Sequence, residues 1–119
     1  MSVRIEREES GLRVLRITGL LKKSEFDAAL AAEANQWGPA TRVKVLVILE
    51  NFEGWERGAD WGDVTFFFSH DHQIEKIAIV ADPRWETGAT VFAGTGLRQG
   101  QVKFFSENQL ALARTWLGG

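Results

Sequence analysis

Residues 3–8 (Val-Arg-Ile-Glu-Arg-Glu) alternate apolar and charged side chains, the period of a strand with one face in water. Ser10-Gly11 supplies a turn, and Leu12 to Thr18 reads as a second strand close enough behind to predict a hairpin. A helix follows. Ser24 can cap it, with Asp27 three residues on approximating a capping box. Phe26, Leu30, Ala34 and Trp37 recur at helical spacing, and Gly38-Pro39 ends the run. Val43 to Leu49 is apolar apart from Lys44, the pattern of a strand buried on both faces of a parallel sheet, and Ile77 to Ala81 repeats it. Between them, residues 57–70 can form a helix with Trp61, Val64 and Phe68 on one face. Gly58 and Gly62 weaken that helix by about 1 kcal/mol each.

Asp82-Pro83 closes the fourth strand and suits the start of another helix. That segment, Trp85 to Thr95, puts Trp85, Ala89 and Phe92 on one side. Its Gly88, Gly94 and Gly96 predict the most mobile helix of the set. Gln101 to Phe105 is a fifth strand, and Ser106 with Gln109 forms a capping box for a last helix. The inner face of that helix is Leu110, Ala113, Trp116 and Leu117. Alternation of strands and helices at this spacing predicts parallel strands joined by right-handed crossovers. The expected fold is one α/β domain over residues 1–119. Its five-stranded sheet is mixed but mostly parallel, the first strand is an antiparallel edge, and there are about four helices.

Composition narrows the function classes. A chain of 119 residues has room for one domain, and 45 % apolar with 25 % charged residues is ordinary for a globular protein. The formal charge of −2 comes without a basic stripe to neutralise phosphates, so no nucleic acid is expected as a partner. The segment from Glu50 to Asp63 is acidic, holding Glu50, Glu53, Glu56, Asp60 and Asp63 against Arg57. Cysteine is absent, which excludes disulfides, thiolate metal sites and cysteine nucleophiles. The N-terminal residues lack the apolar core of a signal peptide. The longest unbroken aliphatic runs are five residues, against the ~20 needed to span a bilayer. The chain reads as a soluble cytoplasmic protein.

Catalytic chemistry is not legible. His70 and His72 flank Asp71, but residues two apart on a helix point in different directions, so a polar helix end explains them better than a metal site. The acidic set lacks the Asp-x-Asp-x-Asp-Gly spacing of a calcium loop and reads as a solvated face. No nucleophile elbow or phosphate-binding glycine loop is present. No catalytic residue, metal ligand or cofactor is therefore predicted, and the chain is not expected to be an enzyme.

The aromatic residues are uneven. There are five Trp and eight Phe but no Tyr, and six of these thirteen rings fall between Phe52 and Phe68. One helix cannot bury Phe66, Phe67 and Phe68 on a single face, since consecutive residues stand ~100° apart. The segment is either plain core or the wall of an apolar pocket or patch. The residues expected to line or gate such a site are Phe52, Trp55, Trp61, Phe67, Phe68, Trp85 and Phe92.

Phe52-Glu53-Gly54-Trp55, then Ala59, Trp61 and Asp63, resemble the stand-alone bacterial SpoIIAA-like proteins, relatives of the STAS domains of anti-sigma-factor antagonists. So do Ile77-Ala78-Ile79-Val80 with Asp82 and Trp85, and the closing Ala113-Arg114-Thr115-Trp116-Leu117. The resemblance spans essentially the whole chain. It implies a βα superhelix of the kind shared with CRAL-TRIO lipid carriers. It also implies a cavity for a small hydrophobic ligand or lipid, or docking on a membrane surface or a partner protein, with Trp85, Ala89 and Phe92 on a helix that can swing. One departure matters. The antagonists carry a phosphorylatable serine in a turn after the third strand, where this chain has Glu50-Asn51-Phe52-Glu53-Gly54. A kinase-driven switch of that type is not expected.

The functional expectation is a non-enzymatic cytoplasmic binding module for a small hydrophobic or amphipathic, lipid-like ligand, with peripheral membrane association. The alternative is a STAS-type regulatory domain acting through an exposed apolar face, as a homodimer or with another protein, without the serine switch.

Overall fold

The near-continuous apolar run after Arg42 becomes the centre of the sheet, because its alternate residues feed two separate cores. In the computed structural model, which describes residues 3–8, 11–58, 73–92 (backbone alone for 90–92) and 101–118, five strands lie in the order β1-β2-β3-β4-β5. They are β1 (Val3–Arg7), β2 (Leu12–Leu21), β3 (Val43–Trp55), β4 (Ile74–Ala81) and β5 (Gln101–Ser106). β1 pairs antiparallel with β2, with Ile5 opposite Leu15, and every later pairing is parallel. Both expected features, the antiparallel edge and the parallel remainder, are present. The helices are α1 (Lys23–Ala34), α2 (Glu86–Phe92) after a 3-10 turn over Pro83–Trp85, and α3 (Leu110–Gly118). These are three helices among the described residues rather than about four; the helix expected over residues 57–70 lies outside them.

On one face of the sheet, Val14, Leu46, Ile48, Ala78, Val80 and Phe105 meet Ala113 and Leu117 of α3. On the other, Leu15, Ile17, Leu49, Ile77 and Ile79 meet Phe26 of α1 and Ala89 of α2. Successive residues of a strand point to opposite faces. Leu46 and Ile48 therefore serve the α3 core, while Val45, Val47 and Leu49 serve the α1 core.

The ends of the helices are secured unevenly. The expected Ser24 cap does not form: α1 begins two residues earlier than that cap would place it, and Lys22 in the cap position makes no side-chain cap bond. The Glu56 carboxylate, 33 residues further along, accepts the Lys23 backbone N–H at 3.2 Å, and the Glu56 N–H donates to the Leu21 carbonyl at 2.9 Å. An acid from the end of β3 thus supplies the capping acceptor that the local sequence was expected to provide. At α3 half of the predicted box is built. The Ser106 N–H donates to the Gln109 side-chain oxygen at 2.9 Å, but the Ser106 hydroxyl turns to Asn108 Oδ1. Pro83 opens its 3-10 turn as expected, and the Asp82 carboxylate accepts the Arg84 N–H at 3.0 Å.

Two long-range polar contacts hold the bottom of the sheet. Gln73 is buried, and its amide donates to the carbonyls of Gly38 and Thr41 at 2.8 and 3.2 Å, tying the α1–β3 connection to the start of β4. Arg114 of α3 reaches Glu8 with two bonds of 3.0 Å, and this pairing holds the Glu8 carboxyl below its usual pKa.

Candidate functional site

Strands β2 and β3 run on past the points where their apolar patterns break. Thr18 pairs with Glu50, Gly19 with Phe52, Leu20 with Gly54 and Leu21 with Trp55, with register shifts on either side of Gly19. The segment Glu50–Gly54, expected as a turn, is therefore an irregular extension of β3. Two residues on it take left-handed backbone angles: Asn51 with φ of 49° and Gly54 with φ of 112°. Glycine has no Cβ to penalise that conformation. The irregularity brings Phe52 and Trp55 together beside Trp85 at the end of the sheet. All three pairs meet edge to face, with centroids 4.9 Å apart for Phe52–Trp55, 5.0 Å for Phe52–Trp85 and 6.0 Å for Trp55–Trp85. Each such contact adds to simple area burial. The Arg84 guanidinium lies 5.6 Å from the Trp85 ring centre.

Gly88 of α2 explains how that helix packs. A Cβ there would come within 3.0 Å of two ring carbons of Trp55, so the absence of a side chain lets α2 ride on the indole. The glycine that predicted a mobile helix is a point of close approach.

Between the sheet and α1 lies a cavity of about 80 Å³. Its floor is aliphatic, built from Leu15 and Ile17 of β2, Val45 and Val47 of β3, and Ile77 and Ile79 of β4. Phe52 and Trp55 stand at one end, and Phe26 and Leu30 of α1 form the roof. At the other end stand Trp37, Glu33 and Arg13. Native interiors leave few voids larger than a water molecule. At ~24 cal/mol per Å³, a void of 80 Å³ forfeits about 2 kcal/mol of packing. Val45 and Val47, in the first half of the central strand, are half-buried, whereas Leu46 between them is fully buried on the α3 side.

The polar end is an ion-pair cluster centred on one oxygen. Glu33 Oε2 accepts from Arg13 Nε at 2.6 Å, from the Trp37 indole N–H at 2.8 Å and from Arg7 Nη2 at 3.3 Å. Arg7 also donates to the Gln36 side chain at 2.6 Å, and Arg13 to the Gly11 carbonyl. The side chains of Arg13 and Glu33 are each 11 % exposed. Burial pushes the Glu33 carboxyl upward, but the bonds from Arg13 and Trp37 and the charges of Arg13 and Arg7 outweigh it and hold the group below its ordinary pKa. Glu33 is therefore ionised at neutral pH.

Of the residues expected at the site, Phe52 and Trp55 line the cavity and Trp85 packs against both. Trp61, Phe67 and Phe68, along with Phe66, His70 and His72, lie outside the described residues, as does the Phe92 side chain. The acidic set does not converge where it is described: Glu50 pairs with Arg16 at 2.6 Å, and Glu56 caps α1. Among the described residues no three His, Asp or Glu side chains are grouped as a metal site would require. None of their helices is long and apolar enough to cross a membrane.

Sequence reasoning missed the polar end, although two signals mark it. Arg13 shares a strand face with Leu15 and Ile17, so it occupies an inward position. Glu33 falls on the helical stripe of Phe26, Leu30 and Trp37, next to Ala34 of the same stripe.

The fold and sequence have clear relatives. A crystal structure of an uncharacterised DUF3478-family protein with a SpoIIAA-like fold, from Shewanella loihica PV-4, matches 97 % of this chain and 91 % of its own length. The TM-score is 0.72 at 21 % identity, a likeness of fold. No curated protein matches the chain at a significant level. The SpoIIAA-like family model matches residues 12–118, which takes in every element after β1. The chain belongs to the SpoIIAA-like family.

Proposed function

We propose that this protein is a non-enzymatic binding module whose cavity, between α1 and the sheet, takes a small hydrophobic or amphipathic ligand. The observation that carries this reading is the pair Val45 and Val47, half-buried on the central strand at the floor of an apolar cavity. A domain under selection for stability alone gains from filling such a space. An apolar void stays dry and accepts apolar guests, which recover the contacts its walls lack. The phosphorylatable serine of the related anti-sigma-factor antagonists has no counterpart in Glu50–Gly54, and this favours ligand binding over phosphorylation as the mode of action.

The test is titration with straight-chain alcohols from 1-butanol to 1-octanol, followed by intrinsic fluorescence. Trp37 and Trp55 stand at opposite ends of the cavity, so an occupant changes the surroundings of at least one of them. A saturable shift that disappears in Val47→Phe, which fills the cavity from its floor, is the expected result. A flat response to every alcohol, or a shift that persists in Val47→Phe, refutes the reading.

A further inference from the structure

β1 pairs with β2 on one side and, among the described residues, has no strand on the other. The Glu8 N–H, just past the end of β1, donates to the Leu12 carbonyl at 2.9 Å, so the backbone of Glu8 bonds toward β2. Successive residues of an antiparallel strand turn their N–H and C=O groups to alternate sides. Glu6 and Arg4 therefore also bond inward, and the backbone groups of Val3, Ile5 and Arg7 point out from the edge of the sheet. Such a row is a template for another strand.

The side chains along this edge carry a charge pattern. Val3 and Ile5 face the α1 core, and Arg4 and Glu6 alternate onto the other face, opposite Arg16 and Val14. Glu6 Oε1 accepts Arg16 Nε at 2.8 Å and lies 3.9 Å from Arg4 Nε, while Glu6 Oε2 takes no bond among the described residues. Arg4 stands opposite Arg16 of β2, a like-charge pairing that costs stability. Its side chain is 74 % exposed and held only by that long contact to a carboxylate already serving Arg16. The edge thus presents a loosely held guanidinium and an open carboxylate oxygen on the same face.

We propose that β1 is a self-pairing edge, to which a second copy of this chain adds its own β1 antiparallel about a two-fold axis at Ile5. In that register Ile5 faces the partner's Ile5 and Val3 faces the partner's Arg7, each pair exchanging two backbone bonds. Arg4 faces the partner's Glu6 and Glu6 the partner's Arg4, so both outward charges gain an opposite neighbour. Other registers lose this match. An axis at Arg4 sets guanidinium against guanidinium, and an axis at Glu6 sets carboxylate against carboxylate. A register between residues would bring the apolar α1 face of one sheet level with the α3 face of the other. In the Ile5 register the five strands of one copy continue into those of its partner. The far edge of the sheet lacks the pattern: the only charged residue of β5 is Lys103, a guard against strand addition with no acid to answer it. The pairing is independent of the cavity reading, because it rests on edge backbone groups and on charges of the α3 face.

The test is sedimentation equilibrium of the full chain from micromolar to millimolar concentration, where the wild type should dimerise as concentration rises. Arg4→Glu should raise the dimer Kd about tenfold, since two attractive pairs become repulsive, and Arg4→Gln only about threefold. Glu6→Arg should self-associate as poorly as Arg4→Glu. An equimolar mixture of the two should recover the wild-type affinity, because the acidic positions of one copy then face the basic positions of the other. Ile5→Pro removes an outward N–H while sparing the bonds to β2, and it should abolish the dimer. A wild type that stays monomeric at millimolar concentration overturns the proposal. So does a dimer that Arg4→Glu weakens no more than Arg4→Gln, or a mixture that associates no better than either variant alone. If Glu6→Arg does not fold, the comparison of the two Arg4 variants decides.

Discussion

The two faces of the sheet are made from the same kind of sequence and packed to different ends. On the α3 face, Leu46, Ala78 and Ala113 are fully buried, with Val14, Val80 and Leu117 nearly so. On the α1 face, one residue away along the same strand, Val45 and Val47 remain half-buried over a cavity. Hydrophobicity does not distinguish the two, since both faces of β3 are aliphatic. Coverage does: α3 lies directly on its strands, whereas α1 stands off the sheet across the cavity, with aromatic rings at one end and an ion-pair cluster at the other. The tight packing is on one side, and the unfilled space on the other.

The largest effect expected from this difference is at Leu46. Leu46→Ala should cost about 2–5 kcal/mol in denaturant unfolding, because a fully buried leucine is lost from a face with no slack. A sharper comparison uses one substitution on both faces. Val80→Ala should cost about 2 kcal/mol, whereas Val47→Ala should cost less than about 1 kcal/mol, since its methyl groups already border a void. Equal costs would break the contrast between the faces. Smaller, and opposite in sign, is Val47→Ile, where one added methyl enters existing space and should stabilise the fold by about 0.5–1 kcal/mol. The same methyl should weaken binding of 1-hexanol.

The smallest effect is a pH dependence at the polar end. The Glu33 carboxyl sits below its ordinary value of 4.5 in the folded protein, so its contribution is fully present above that pH and is lost as pH falls through the lower, folded-state value. Thermal unfolding followed from pH 5 downward should therefore show a decline in Tm that is shallower in Glu33→Gln. An identical slope in both proteins would mean that the cluster adds nothing to stability.

Much of the fold was legible because hydrophobic periodicity is a local signal. The alternation in residues 3–8, the double-sided run of Val43–Leu49 and the box at Ser106 and Gln109 each point to an element that forms, and their order implies the parallel sheet. The failures are where a remote residue intervenes. Ser24 is a good local cap, yet the amide at the start of α1 goes to Glu56, brought there by the end of β3. Glu50–Gly54 has the composition of a turn, yet pairing with Thr18–Leu20 keeps it in the sheet. Gly88 reads as looseness, yet the Trp55 ring needs its missing side chain.

The site was half legible for the same reason. Phe52, Trp55 and Trp85 stood out as a surplus of aromatic residues, and they do gather in one cluster. Arg13 and Glu33 did not stand out, because a charge on a strand or helix ordinarily means a solvated face. Their inward positions become visible once β2 and α1 are placed against each other.

The sequence by itself determined the elements, their order, the two-sided burial of the central strands and the family, because each is written in spacing and residue type along the chain. The tertiary structure decided that one face closes tightly while the other keeps a cavity with an ion-pair cluster beside one end. That outcome depends on how far α1 stands from the sheet and on which distant side chains meet there, and neither is carried by any local stretch of the chain.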